Sequence, residues 1–119
     1  MRAVLLREFG GPELLNLEEV SAPDPTTLGD DAVLIKVRAC GVCYHDIISR
    51  RGDLPRASVP LILGHEIAGD VLAVGESVER FSPGDRVACV QRTHCNTCEI
   101  CQNNRPTLCK NGSFIGEQI

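Results

Sequence analysis

The chain has 119 residues, which is enough for one domain and too few for two ordinary ones. With 43% hydrophobic and 24% charged residues, it is not expected to be disordered. A net charge of −4, one Tyr and no Trp argue against a nucleic-acid partner, and no apolar run is long enough to suggest a membrane. Seven cysteines without a recognisable signal peptide predict a cytoplasmic protein whose cysteines bind metal.

Short apolar or alternating segments, separated by turn residues, predict a mainly β chain with one short helix. Strands are expected at 2–6, 14–20, 32–39, 66–74 and 86–90. The helix is expected over 43–51, with Ile47 and Ile48 facing inward and Gly52 just after its end. This strand-dominated order predicts an antiparallel β-barrel or sandwich.

Residues 91–112 form a polar, cysteine-rich lobe with almost no apolar residues of its own, so the lobe needs a crosslink to fold. Its cysteines follow the spacing C-x2-C-x2-C-x7-C, which is typical of a structural zinc site closed by four thiolates: Cys95, Cys98, Cys101 and Cys109. An iron–sulfur cluster is one alternative, although ferredoxin sequences continue with a three-residue gap and Cys-Pro. Disulfides or free thiols are the other alternative. Cys89 is expected to be a buried structural cysteine and His94 a surface residue.

Cys43 and His65 are separated by 21 intervening residues, too many for a local zinc finger, and each lies at the end of an expected element. Taken alone, such a cysteine or histidine is more often structural than a ligand. The simplest interpretation of Asp46 is a charge that stabilises a helix N-terminus. The simplest interpretation of Glu66 is a solvent-facing strand residue.

Four segments follow one another along the chain: Cys40-Gly41-Val42-Cys43-x-x-Asp46, Gly64-His65-Glu66-x-x-Gly69-x5-Gly75-x-x-Val78, Gly84-Asp85-Arg86-Val87 and the four-cysteine lobe. In order and spacing they resemble zinc-containing alcohol dehydrogenases of the medium-chain family, over residues 1–112. The resemblance implies a GroES-like, partly open β-barrel with a short helix and a structural zinc lobe. Residues 1–119 would form the N-terminal part of the GroES-like catalytic domain.

The resemblance also implies roles for individual residues. Cys43 and His65 would be ligands of a catalytic zinc, and Glu66 would lie beside the metal and could approach it as a ligand. Asp46 would accept a hydrogen bond from the His65 ring, which fixes the tautomer of a metal-bound histidine. His45 stands where the family usually has Ser or Thr, and an imidazole can also relay the substrate proton.

The activity implied by the resemblance is hydride transfer between an alcohol and an aldehyde or ketone, with zinc as Lewis acid and NAD or NADP as cofactor. One alternative is an enoyl-type reductase, because Tyr44-His45-Asp46 resembles the acryloyl-CoA reductase branch. A non-catalytic zinc-binding module is the other. The expected partner is a small-molecule alcohol or carbonyl compound, and the full-length protein is expected to be a homo-oligomer.

Three features depart from the family pattern. The chain has no G-x-G-x-x-G, so a nucleotide-binding domain is not expected within it and the chain is expected to be an inactive fragment. The third ligand of the catalytic zinc is expected beyond Ile119, which predicts one tightly held zinc per chain. The second departure is His45, described above. The third is Asn96, which stands where the lobe usually has Gly, and Asn tolerates a positive φ.

Overall fold

Two antiparallel sheets of three strands each form the fold in the computed structural model, which describes residues 1–117. One sheet has the order β2-β1-β4 and the other the order β3-β5-β6. Their bounds are β1 Arg2–Leu6, β2 Leu15–Glu19, β3 Val33–Gly41, β4 Leu61–Ile62, β5 Glu66–Val74 and β6 Arg86–Ala88. The helices are α1 Tyr44–Arg51 and the one-turn α2 Glu99–Gln102, with 3-10 turns at Pro12–Leu14, Pro25–Thr27 and Pro106–Leu108. None of the helices described is long and apolar enough to cross a membrane.

The mainly β fold class is confirmed, and β1 and β5 have the bounds that the sequence predicts. Within residues 1–117 the two sheets stay separate and do not close into a barrel, so the expected barrel is open. The strand β4 was not expected, because a strand of two residues is too short to show a period. It exists through its pairing with β1, where Leu5 lies opposite Ile62 and Leu6 opposite Leu61.

The longest pairing, between β3 and β5, explains how distant parts of the chain meet. Its register runs from Val33 opposite Val74 to Gly41 opposite Glu66. The end of β3 therefore lies beside the start of β5. Because Cys43 follows β3 by two residues and His65 directly precedes β5, antiparallel pairing brings these two residues to the same edge of the sheet.

The helix α1 buries polar rather than apolar side chains. Its buried residues are Asp46 and Ser49, whereas Ile47 and Ile48 are only half-buried, so the expected inward face was wrong. The reason is the location of the helix, which starts at the sheet edge where Cys43 and His65 meet. Gly52 ends it in the left-handed conformation, with a φ of 80° that glycine adopts without strain.

Candidate metal centres

The four lobe cysteines converge on one point. Their Sγ atoms are separated by 3.5 Å (Cys98 to Cys101), 3.6 Å (Cys95 to Cys109), 3.9 Å (Cys98 to Cys109) and 4.0 Å (Cys95 to Cys101). A tetrahedral zinc with bonds of about 2.3 Å would place its sulfurs about 3.8 Å apart, in the middle of this range. A disulfide needs about 2.05 Å, and all seven cysteines are free thiols. The donor set therefore fits one zinc ion and does not fit the disulfide alternative.

Local hydrogen bonds divide the lobe thiols into easily and poorly ionised groups. Hydrogen bonds from the side chain and backbone of Thr97 help lower the pKa of Cys95 to about 5. The backbone of Cys101 lowers the pKa of Cys98, whereas desolvation raises the pKa of Cys101 itself to about 12. Near neutral pH the Cys101 thiol thus keeps its proton unless a cation is present. A bound zinc requires all four as thiolates, so its binding would release protons.

The lobe is an insertion between two segments that pair with each other. Arg92 and Phe114 form an isolated antiparallel bridge, and Thr93 N donates to Ser113 O at 3.0 Å. The Arg92 guanidinium also donates to the Cys109 carbonyl at 2.7 Å, and Cys109 is fully buried. Asn96 has a φ of 57°, as expected of an Asn that replaces Gly in this turn. These contacts attach both ends of the lobe to the rest of the domain.

The second centre begins at the N-terminus of α1, where Cys43 is the N-cap. Its Sγ accepts a hydrogen bond from His45 N at 3.3 Å, and Asp46 Oδ2 accepts one from Cys43 N at 2.9 Å. This reciprocal capping box fixes the direction of the cysteine side chain. The stabilising role of Asp46 at the helix terminus is therefore present, and it uses only one of the two carboxylate oxygens.

His65 lies between Cys43 and Asp46 and presents one ring nitrogen to each. Nε2 is 3.3 Å from Cys43 Sγ, and Nδ1 is 3.3 Å from Asp46 Oδ1. Both His65 and Asp46 are 6% exposed. Nδ1 and Oδ1 are buried and make no aligned hydrogen bond with any atom of residues 1–117.

This arrangement fits a metal ligand set. A tetrahedral zinc would hold a thiolate sulfur and an imidazole nitrogen about 3.6 Å apart, close to the observed 3.3 Å. The carboxylate behind Nδ1 is the usual partner that orients a ligating histidine. Donor atoms of Cys43, Asp46 and His65 all lie within 4.8 Å of one another.

The structure places Glu66 differently from these three residues. It is exposed at the start of β5, its carboxylate packs against Gly41, and it is not in the donor group formed by Cys43, Asp46 and His65. Glu66 does line a cavity of about 380 Å³ beside His65, together with Ile67, Ala68, Ala88, Cys89 and Gln91. Cys89 is half-buried there, and the loss of solvent raises its pKa. His94 is exposed, as expected.

Two residues near this centre were not found by sequence reasoning. The His45 ring stacks on Phe114, with centroids 4.7 Å apart, and meets the His65 ring edge-on at 5.0 Å. Its Nε2 is 3.5 Å from Oε2 of the buried Glu117. Neither Phe114 nor Glu117 belongs to a recognisable motif, and the bridge between Arg92 and Phe114 helps to place this segment here.

Comparison with known proteins gives a consistent set of relatives. The family of alcohol dehydrogenase GroES-like domains matches residues 29–117. An acryloyl-coenzyme A reductase from Metallosphaera sedula is 35% identical over the whole chain, and an alcohol dehydrogenase from Rhizobium meliloti is 43% identical. The chain spans about a third, 34%, of the length of each of these two relatives. The crystal structure of an NAD-dependent alcohol dehydrogenase superimposes with a TM-score of 0.89 and 34% identity, over 99% of this chain and 34% of the other.

Proposed function

The chain belongs to the family of alcohol dehydrogenase GroES-like domains, and we propose that it supplies the metal centres of a zinc-dependent alcohol dehydrogenase. In this proposal it is the N-terminal part of the catalytic domain, and the nicotinamide cofactor, NAD or NADP, binds outside residues 1–119. The supporting observation is the buried group of Cys43, His65 and Asp46 at the start of α1. Relatives named alcohol dehydrogenase support the substrate class.

We assign Cys43 and His65 as ligands of the catalytic zinc and Asp46 as the carboxylate that orients His65. Asp46 Oδ1, 3.3 Å from His65 Nδ1, would accept the hydrogen bond of a protonated Nδ1, and Nε2 would then be free to donate its lone pair to the metal. When bound, zinc acts as a Lewis acid that favours the alkoxide form of an alcohol or polarises a carbonyl. The cavity beside His65 would admit the small-molecule substrate.

His45 is assigned the exchange of the substrate proton. Its ring lies edge-on to His65, and its Nδ1 is 3.4 Å from Ser49 Oγ. A proton taken up at Nδ1 from the Ser49 hydroxyl could therefore leave from Nε2 towards Glu117, or pass in the reverse direction. We assign Glu66 to the wall of the substrate cavity. The approach of its carboxylate to the metal stays a prediction.

We propose the cysteine lobe as a purely structural zinc site. Four thiolates leave no open position for a substrate, and the separations between the sulfurs match a closed tetrahedron. Zinc there would hold the lobe in its place between the paired segments around Arg92 and Phe114.

An enoyl-type reductase is the second candidate. It is favoured by the match to an acryloyl-coenzyme A reductase over the whole chain. Both candidates predict the same two metal centres and differ in substrate. A homo-oligomeric state and a cytoplasmic location stay predictions.

The proposal can be tested on the intact protein that contains this chain. Reduction of NAD or NADP with alcohols, and oxidation of NADH or NADPH with carbonyl compounds or enoyl thioesters, would be followed in parallel. Turnover of alcohols and carbonyl compounds that is lost in Cys43→Ser and kept in Cys40→Ser supports the dehydrogenase. Turnover of enoyl thioesters alone supports the reductase. Absence of both with two zinc ions bound would support a non-catalytic module.

A further inference from the structure

Glu117 is a buried carboxylate close to the candidate catalytic centre. It is 8% exposed, and its Oε2 lies 3.5 Å from His45 Nε2. A buried carboxylate is unfavourable unless a hydrogen-bond donor or a positive charge compensates it. His45 is the group that stands in that position.

The backbone around Glu117 packs against the segment that carries His65. Gly116 has a φ of 76°, and a Cβ on it would collide with the backbone carbonyl of Gly64, the residue directly before His65. Ser58 N donates to Glu117 O at 3.3 Å. The carboxylate is therefore placed by the same backbone that places the metal ligand.

The His45 ring is held on several sides, and its two nitrogens face different groups. Phe114 stacks on one face, with planes 28° apart, and the His65 ring meets it edge-on. Nε2 faces Glu117 and Nδ1 faces the hydroxyl of Ser49 at 3.4 Å. An ionised carboxylate can only accept a hydrogen bond, whereas a hydroxyl can either donate or accept. The pair of partners thus favours the ring form that carries a proton on Nε2.

We propose that Glu117 is a positioning residue for His45, which it holds beside the metal-binding atoms with the Nε2 proton directed at its carboxylate. This inference deepens the proposed function, on which it rests for the role of His45 in proton exchange. The carboxylate would fix both the ring plane and the tautomer, leaving Nδ1 in the neutral ring as the acceptor for Ser49. A serine or threonine hydroxyl at position 45 could donate or accept through its single oxygen, so it would need no partner that fixes its protonation. In a neutral histidine ring only one nitrogen carries the proton, and a partner is needed to select which one.

The test is the tautomer of His45, measured by long-range ¹H–¹⁵N NMR on the zinc-loaded chain with labelled histidine. The signals of His45 are assigned by their loss in His45→Gln. We expect Nε2 to be protonated in the wild type. In Glu117→Ala the ratio of the Nε2–H to the Nδ1–H form should fall roughly tenfold or more, because the carboxylate acceptor that faces Nε2 is removed.

Two further variants separate the carboxylate's hydrogen bonding from its volume. Glu117→Gln keeps the shape but introduces an amide that can also donate, so it should weaken the Nε2–H preference too. Glu76→Ala removes an exposed carboxylate far along the chain and should change nothing. Equal tautomer ratios in the wild type, Glu117→Gln and Glu117→Ala would overturn the proposal.

The wild-type spectrum alone can also overturn it, even if the alanine variant does not fold: a ring protonated mainly on Nδ1 contradicts the proposed contact. Failure of the proposed function has a different signature. If no metal binds at Cys43 and His65, the His65 signals will not respond to zinc, whereas the His45 tautomer can still follow Glu117.

Discussion

Replacing Cys95 by Ser should open the cysteine lobe and leave the two sheets folded. Cys95 Sγ accepts hydrogen bonds from Cys98 N at 3.3 Å and Asn111 Nδ2 at 3.7 Å, and its lowered pKa makes it the sulfur most easily ionised. Structural zinc contributes about 10–16 kcal/mol to the folding of small zinc domains. If four ligands share this equally, one lost thiolate weakens zinc binding by roughly 2.5–4 kcal/mol, or roughly 10²–10³-fold.

The apolar contacts of the lobe cannot replace that contribution. Ile100 is half-buried and Leu108 is 52% exposed, whereas full burial of such a side chain yields about 1.5–3 kcal/mol. Without its metal the lobe should therefore lose its order locally. The pairing between β3 and β5 does not depend on it, so the sheets should persist.

Limited trypsin digestion measures this directly, because Lys110 is an exposed cleavage site within the lobe. We expect rapid cleavage after Lys110 in Cys95→Ser and in the chelated wild type, with slow cleavage in the zinc-loaded wild type. Cys40→Ser is the matched control, since Cys40 is exposed and outside the cluster. A metal-free lobe that resists trypsin as well as the zinc-loaded wild type would refute the structural role of zinc.

Three further predictions follow from the two centres and from the backbone around them. The centre formed by Cys43 and His65 is called the open centre. Asp46→Asn keeps a helix-capping oxygen but loses the carboxylate behind the metal-ligating histidine, so cobalt affinity at the open centre should fall about 10–100-fold in a spectroscopic titration. Unchanged affinity would show that Asp46 does not support the metal there. Because desolvation raises the pKa of Cys101 to about 12, zinc binding near neutral pH should release protons and weaken as the pH falls. Calorimetry in buffers of different ionisation enthalpy measures that release, and its absence would contradict the pKa pattern. Gly116→Ala should lower the melting temperature more than Gly84→Ala, because both have a positive φ but only the former would meet backbone atoms; equal losses would show that packing around residue 116 is loose.

Local features of the sequence predicted much of the fold and of the lobe. β1 and β5 are continuous apolar or alternating runs whose period does not depend on distant residues. The four lobe cysteines are likewise close in sequence, so their spacing alone indicates a shared metal. By contrast, β4 exists only because two residues pair with β1. Such a pairing is a tertiary event that leaves no periodic signal.

The open centre was only partly predictable for the same reason. Cys43, Asp46 and His65 were identified through a family resemblance rather than through spacing, because the register of β3 against β5 brings them together. Glu117 reaches the centre through the turn at Gly116 and the segment that returns from the lobe. Because the course of this returning segment brings Glu117 to His45, no local sequence pattern could have predicted the contact.

Zinc stoichiometry by native mass spectrometry, before and after mild chelation, tests most directly whether this chain carries one closed and one open metal centre. We predict that the zinc-loaded wild type and Cys40→Ser bind two zinc ions and keep one after chelation. Cys43→Ser should bind only the ion that resists chelation, whereas Cys101→Ser should lose that resistant ion. Zinc content in Cys43→Ser identical to that of the wild type at every chelator concentration would contradict the open centre. Survival of the resistant ion in Cys101→Ser would contradict the closed one.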